Sequence, residues 1–154
     1  MYPKTTACVR AWAVLALALC SAGLGAQPVP ADKAVKYRQS AFTVMGIHMT
    51  RLNAAVKGDA PSDKASLEFS AEVIEVMGRA AFEGFVPGGD QAGSKAQPAV
   101  WQELPKFREL TKSLQAETLK LKAAAKTGDV AQVKMAFQGV AKACKACHDP
   151  YLAK

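Results

Sequence analysis

The segment Cys144-Lys145-Ala146-Cys147-His148, close to the end of the chain, has two cysteines three residues apart and a histidine directly after the second. This spacing is the attachment motif for c-type haem, in which each thiol forms a thioether with a haem vinyl group and the imidazole ligates the iron. On a helix these three side chains share one face, so they can address one porphyrin. The segment therefore predicts covalent haem attachment at Cys144 and Cys147, with His148 as the metal ligand.

Other kinds of site explain the same residues less well. A thioredoxin-like CxxC pair does not need His148 and normally lies in a βαβ unit, for which the sequence shows no strand pattern. A zinc site needs a fourth ligand, but the only other histidine, His48, lies far upstream. A disulfide between the two cysteines of the motif would close a very short loop and strain the bond geometry. The haem interpretation is therefore the preferred one.

The beginning of the chain, residues 1–26, has the pattern of a secretory signal peptide. Two basic residues precede an unbroken apolar run over residues 11–19, and small residues then lead to a predicted cut after Ala26. The apolar run is shorter than the ~20 residues that a membrane-spanning helix needs, so we expect no membrane anchor. The pattern predicts export to the periplasm and one mature domain over residues 27–154.

Removal of the signal peptide changes the charge and the cysteine content. Two of the 20 Lys and Arg residues would leave with it, so 18 remain against 13 acidic residues, a net charge of +5. Cys8 and Cys20 would leave as well, and Cys144 and Cys147 become the only cysteines. Such a chain does not have the composition of a disulfide-rich miniprotein. The modest positive charge, without a recognisable motif, also argues against nucleic-acid binding.

The mature sequence has the apolar periodicity of amphipathic helices and no competing strand pattern. The first helix is expected over residues 32–57 and ends at the turn of residues 58–61, after which Ser62 or Asp63 can cap a second helix. Residues 84–97 contain several glycines and a proline and are expected to form a long loop, which in a compact domain is usually functional or mobile.

Two further helices are expected after this loop. The third begins at Pro98, and Pro105 would either kink it or mark a later start. Gly128 suits the end of that helix, and Asp129 can cap a last helix that contains the haem motif. In the last helix apolar residues recur every three or four positions, and both cysteines lie on that apolar stripe. The pattern predicts an all-α, antiparallel up-down-up-down four-helix bundle with the haem in the bundle.

The order of these features resembles the cytochrome c′ family, the class II c-type cytochromes. The C-terminal position of the haem motif separates this class from the class I proteins, whose motif lies near the N-terminus. The resemblance covers essentially all of residues 27–154. Its most specific parts are the haem motif with Asp149 and the run Val35-Lys36-Tyr37-Arg38-Gln39-Ser40-Ala41, and further support comes from Val56-Lys57-Gly58 and Pro98-Ala99-Val100-Trp101.

The resemblance implies one covalently attached haem c with His148 as its only strong axial ligand. It assigns Phe42 to the distal side, where the low-spin relatives of the class have a ligating methionine. Because phenylalanine cannot ligate iron, the resemblance predicts a five-coordinate, high-spin iron. Met45, one turn further along, is expected to pack in the core. His48 is expected to be a partly exposed helix residue and not a second ligand.

The resemblance also implies that Arg38 and Gln39 lie beside the haem, near its propionates, where arginine is a natural partner for a carboxylate. Phe82 and Phe85 match positions with aromatic residues near the haem, although core packing would explain them equally well. One departure concerns the position four residues after the haem histidine, where the family usually has an arginine and this chain has Leu152. Any help that this arginine gives to ligands on the proximal side is then in doubt here.

Two functions are expected from such a site. The first is an electron carrier, for which lysines near the last helix could attract an acidic redox partner, although scattered lysines more often form a solvated face. The second is binding and sequestration of nitric oxide or carbon monoxide, with Phe42 as a steric gate. We do not expect an enzyme, because Phe42 is inert and the sequence shows no distal acid–base pair. The family commonly forms homodimers through its first two helices, which the apolar content of this chain permits.

Overall fold

The computed structural model describes residues 29–60, 63–90 and 93–153. The predicted signal peptide and its cut after Ala26 lie outside these residues. The described part of the chain is helical, apart from turns, loops and one isolated β-bridge between Ala96 and Leu152. Its helices are α1 (Ala31–Lys57), α2 (Lys64–Glu83), α3 (Ala99–Gln102), α4 (Leu104–Ala125) and α5 (Val130–Tyr151).

The ends of α1 and α2 follow from local sequence. α1 is terminated by Gly58, whose φ of 82° lies in the left-handed region that glycine adopts without steric cost. Asp63 caps α2, because its carboxylate accepts the backbone N–H of Ser66 at 2.9 Å. Of the two predicted caps, Asp63 is thus confirmed, and Ser62 lies outside the described residues.

The predicted third helix is divided into α3 and α4. The chain leaves helical geometry at Glu103, with φ −110° and ψ 35°, directly before α4 begins. Pro105 explains the break, because it has no N–H to donate and its ring would clash with the carbonyl of Trp101 in a continuous helix. The structure therefore shows the later start, with Pro105 in the first turn of α4.

The connection from α4 to α5 is the predicted tight turn. Gly128 has a φ of 74°, and the carboxylate of Asp129 accepts the backbone N–H of Ala131 at 2.8 Å. These two residues end one helix and start the next within a single turn, so α4 and α5 run antiparallel.

The C-terminal end of α5 is bonded to the loop that precedes α3. Pro150 lies inside α5, and one residue after Tyr151 the chain becomes extended, with φ −107° and ψ 126° at Leu152. The backbone N–H of Gln97 donates to the carbonyl oxygen of Tyr151 at 2.9 Å. The end of the haem-motif helix is therefore bonded to the same loop that forms part of the cavity described below.

The four long helices form an antiparallel up-down-up-down bundle, as predicted. α1 packs against α2, α2 against α4, α4 against α5, and α5 against α1. None of the helices in the described part of the chain combines the length and the apolar character needed to cross a bilayer.

The core consists of two clusters of buried side chains. The larger cluster fills the middle of the bundle and includes Leu52, Ile74, Leu121 and Val140. The smaller cluster contains Val100, Phe107 and Tyr151. Full burial of one such aliphatic or aromatic side chain contributes about 2 kcal/mol of transfer free energy. Phe82 packs against both clusters, and the cavity borders on both.

Candidate haem site

A cavity of about 1040 Å³ opens among α1, α5 and the segment between α2 and α4. This volume is at the upper end of the range found for ligand pockets, so the cavity can accept a large cofactor. The side chains from α1 and α2 that line it include Arg38, Gln39, Phe42, Met45 and Phe82, and those from the rest of the chain include Phe85, Cys144, Cys147, His148 and Leu152.

Cys144 and Cys147 line the cavity one helical turn apart, and both are partly buried free thiols. Burial raises the pKa of Cys144. Burial, with a smaller effect of Cys144, raises the pKa of Cys147 to about 11. Both groups are therefore neutral thiols at physiological pH, whereas redox-active CxxC pairs need a thiol with a lowered pKa. The environment of the motif thus argues against the thioredoxin-like alternative.

His148 lies at the edge of the cavity, with its side chain exposed to solvent. Beside it on α5, Lys145 and Asp149 form an ion pair with an Nζ–Oδ1 distance of 2.8 Å. The same three residues, with Leu152 and Ala153, line a second cavity of about 460 Å³. Leu152 lines both cavities, so this side of the histidine has an aliphatic neighbour where the resemblance leads one to expect arginine.

Phe42 lines the cavity from α1 as part of an aromatic cluster. Its ring meets those of Phe82 and Phe85 edge-on, with centroid distances of 5.9 Å and 6.3 Å. Phe85 in turn packs against Phe107 at 4.8 Å. Phe82 and Phe85 both line the cavity and also pack against the core.

Of the α1 side chains that could in principle ligate iron, Met45 and His48 are engaged in contacts within the bundle. Met45 borders the cavity but is only 4% exposed and packs in the larger core cluster, with its sulfur 3.9 Å from the position of a Cβ on Gly78. His48 is 7% exposed, and its Nδ1 lies 3.2 Å from Oγ of Ser70. The expectation of a partly exposed His48 is wrong, because Ser70 and Phe69 of α2 cover the ring.

Arg38 is buried, at 3% exposure, and holds the loop after α2 against α1. Its Nη1 donates to the carbonyl oxygen of Gly84 at 2.7 Å, and its Nη2 donates to the carbonyl oxygen of Gly89 and to Oγ of Ser94. The guanidinium carbon also lies 4.6 Å from the centroid of the Phe85 ring. This arginine therefore organises one wall of the cavity.

The loop passes close to the guanidinium of Arg38 at Gly89. A Cβ on Gly89 would lie 2.7 Å from Nη1 and 2.9 Å from the carbonyl oxygen of Val86, so a larger residue there would displace the guanidinium or the loop backbone. Burial lowers the pKa of Arg38 and Asp90 raises it, but a guanidinium remains protonated in proteins. Gln39 lies on the same wall and donates from Nε2 to the carbonyl oxygen of Gly93 at 3.3 Å.

The chain matches a family model, described as Cytochrome C', over residues 33–152. The chain belongs to the cytochrome c′ family. The cytochrome c′ of Alcaligenes xylosoxydans xylosoxydans is 39% identical to it over 123 residues, which cover 80% of this chain and 95% of the relative. The resemblance derived from the sequence is thereby confirmed.

Solved cytochrome c′ structures have the same fold. That of Rubrivivax gelatinosus superposes with a TM-score of 0.78 at 36% identity and covers 82% of this chain and 99% of its own. A ferrous variant of the Alcaligenes xylosoxidans protein with bound NO gives 0.77 at 38% identity, covering 83% and 99%. A carbon monoxide-bound variant of the same protein gives 0.77 at 38%, covering 83% and 100%.

Membership of the cytochrome c′ family makes one covalently attached haem c the cofactor of this chain. The cavity fits that group, because two thiols one turn apart lie on its wall and an imidazole follows at its edge. In the described part of the chain, no group of three or more His, Cys, Asp or Glu side chains is arranged to hold a bare metal ion.

Proposed function

We propose that this chain is an exported c-type haem protein with a five-coordinate, high-spin iron that serves as an electron-transfer carrier. Cys144 and Cys147 hold the haem through thioethers, and His148 is the axial ligand. The bound haem supplies a one-electron couple and an iron with an open coordination position. The single observation that carries the proposal is that Phe42, a side chain without a donor atom, lines the same cavity as these three residues.

The five-coordinate state is supported by the positions of two alternative ligands of α1. Met45 packs in the core against Gly78, and His48 is hydrogen-bonded to Ser70. Moving either side chain to the iron would cost a buried contact or a buried hydrogen bond. The apolar Phe42 ring, which lines the cavity, is then the proposed neighbour of the open position.

Arg38 and Gln39 are proposed to lie beside the haem propionates. Arginine has five N–H donors, and the three hydrogen bonds from Arg38 to the loop leave two for a carboxylate. A buried cation also favours a carboxylate nearby, because the pair offsets part of the cost of burying each charge. Arg38 would thus position the loop and the cofactor together.

We further propose that residues 1–26 are a cleaved signal peptide and that residues 27–154 form the mature periplasmic domain. The basic start, the short apolar run and the small residues before the cut support this assignment. We propose no enzymatic activity for this chain.

Binding of NO or CO is the second candidate function. It is supported by the relatives of known structure that contain bound NO and bound carbon monoxide. In this chain Phe42 packs against Phe82 and Phe85, so a diatomic ligand on that side would have to displace a ring that two others hold. Phe42 would therefore act as a steric gate.

A homodimer through α1 and α2 is proposed as well. Exposed apolar side chains lie at two-turn spacing or less on these helices, and burial of such a surface favours self-association. They are Tyr37, Val44 and Ile47 on α1 and Phe69 and Val76 on α2. Sedimentation equilibrium should show a dimer that Ile47→Glu dissociates, while the exposed control Leu119→Glu on α4 leaves it intact.

Absorption spectra of the purified protein test the proposed function directly. We expect the spectrum of a high-spin haem in the oxidised and reduced forms, and a further change when carbon monoxide is added to the reduced form. A low-spin spectrum that carbon monoxide leaves unchanged would overturn the five-coordinate assignment. A colourless protein with the mass of the bare polypeptide would overturn haem attachment.

A further inference from the structure

Tyr151 is a buried phenol at the end of the haem-motif helix. It lies one turn beyond Cys147 and His148 on α5, lines the same cavity and is 4% exposed. Its hydroxyl group donates to Oε2 of Glu103 at 3.0 Å. Neither the haem attachment nor the distal gate uses this pair.

Glu103 can accept a proton from that hydroxyl group and exchange it with solvent. It lies between α3 and α4, is exposed, and has Nζ of Lys106 at 3.1 Å from Oε2. Hydrogen bonds from Lys106 and then Tyr151 lower the pKa of Glu103, so the group is a carboxylate at neutral pH. The phenol therefore has a charged acceptor at its only polar atom.

The rest of the Tyr151 ring lies in an apolar environment. Phe107 meets it edge-on at a centroid distance of 5.4 Å, and Phe107 continues to Phe85 at 4.8 Å. Phe85 reaches Phe42 at 6.3 Å. Since oxidation of a phenol at neutral pH requires loss of its proton, an acceptor already in hydrogen-bond contact makes this ring easier to oxidise than a phenol without one.

We propose that Tyr151 is a redox-active residue. When hydrogen peroxide reaches the bound haem, Tyr151 donates one electron to the haem, and its phenolic proton passes to Glu103. The inference rests on the proposed function, because it requires haem c in the cavity. The O–O bond of one peroxide molecule breaks and takes up two electrons to give two hydroxide ions. With haem c bound, Tyr151 would supply one electron and the ferrous iron the other, and the products would be a neutral tyrosyl radical, ferric iron and a protonated Glu103.

Rapid freeze-quench electron paramagnetic resonance on the reduced holoprotein mixed with hydrogen peroxide tests this assignment. We expect a tyrosyl radical in the wild type and its loss in Tyr151→Phe, which keeps the ring packing. Tyr37 provides a matched control, because its hydroxyl also donates to a carboxylate, Glu83 at 3.4 Å, but it is exposed and does not line the cavity. Tyr37→Phe should retain the radical.

Glu103→Gln separates proton acceptance from a structural hydrogen bond. The glutamine oxygen still accepts a hydrogen bond from Tyr151 but is far less basic, so radical formation should slow at least about tenfold. A radical that persists in Tyr151→Phe, or that resides on Trp101, overturns the proposal. An unchanged rate in Glu103→Gln overturns the role of Glu103.

The absorption spectrum and the mass of each variant before mixing keep the two proposals distinguishable. If haem c is absent, the proposed function fails and the radical cannot form for that reason. If haem c is present and the wild type gives no tyrosyl radical, only the role of Tyr151 fails.

Discussion

The two walls of the cavity are built in different ways. On α5, the cysteines and the histidine are neighbours in sequence and reach the cavity because one helical turn brings them to one face. On the other wall, Phe42 of α1 packs against Phe82 and Phe85, and Arg38 bonds a loop about fifty residues away. The α5 wall depends on residues that are close in sequence, whereas the α1 wall depends on contacts between distant segments of the chain. Mutations should therefore affect the two walls differently.

The largest effect is expected on the α5 wall. Replacing both Cys144 and Cys147 by serine removes the two thioethers, so covalent haem should be lost completely. Mass spectrometry of the denatured protein would then give the mass of the polypeptide alone. Ala146→Ser, an exposed change inside the same motif, should retain the haem. Retention of haem by the double variant through denaturation would contradict attachment at these cysteines.

On the α1 wall, Arg38→Met should destabilise the fold without removing the attachment motif. The change leaves the carbonyl groups of Gly84 and Gly89 without their donor, and we expect a loss of about 3 kcal/mol in the free energy of unfolding. Urea unfolding of the holoprotein measures it. Arg51→Met, on the exposed face of the same helix, should change stability by less than about 0.5 kcal/mol. Equal effects of the two variants would refute the role of Arg38 in holding the loop.

Phe42→Ala tests the distal side of the same wall. Removing the ring opens the space beside Phe82 and Phe85, so carbon monoxide should bind faster and about tenfold more tightly, which corresponds to about 1.4 kcal/mol. Flash photolysis and carbon monoxide titration measure both quantities. Phe69→Ala, on the exposed face of α2, is the control and should leave both unchanged. An unchanged affinity in Phe42→Ala would exclude the gate.

Tyr151, at the end of α5, should make the free energy of unfolding decrease at alkaline pH. Burial, then the hydrogen bond to Glu103, raises the pKa of Tyr151 above its value of about 10 in an unfolded chain. A raised pKa means that the stabilisation is complete below pH 10 and is lost as pH rises through the folded-state pKa. Tyr151→Phe should therefore remove part of the decline in stability above pH 10. If the free energy of unfolding falls with pH in the same way in the wild type and the variant, the Tyr151 hydroxyl group does not contribute to the pH dependence.

The same difference between the walls explains what the sequence could predict. The α5 wall and the helical pattern depend on short spacings, so the haem motif and the bundle could be inferred from residues alone. Pro105 left two outcomes open, because a proline in the first turns can either kink a helix or start one. The burial of His48 could not be foreseen, because Ser70 and Phe69 approach it from another helix.

Arg38 shows most clearly what the sequence alone could not predict. Its position in a family-like run indicated the cavity, and the structure places it on the cavity wall. Its hydrogen bonds to the loop depend on where Gly84 and Ser94 lie in the fold, which no local pattern specifies. Likewise, nothing in the sequence pairs Tyr151 with Glu103, which are 48 positions apart.

The smallest effect is expected at the edge of the α5 wall. Asp149 follows the haem motif directly, but its carboxylate is exposed and pairs with Lys145 across one turn of the helix. Because an exposed pair of this kind is worth less than about 1 kcal/mol, Asp149→Asn should leave stability and haem attachment almost unchanged. Lys145→Gln should behave in the same way, since it removes the same pair from the other side. A large loss of haem in Asp149→Asn alone would mean that the carboxylate acts on the histidine beside it. Haem binding by the α5 wall would then depend on a residue other than Cys144, Cys147 and His148.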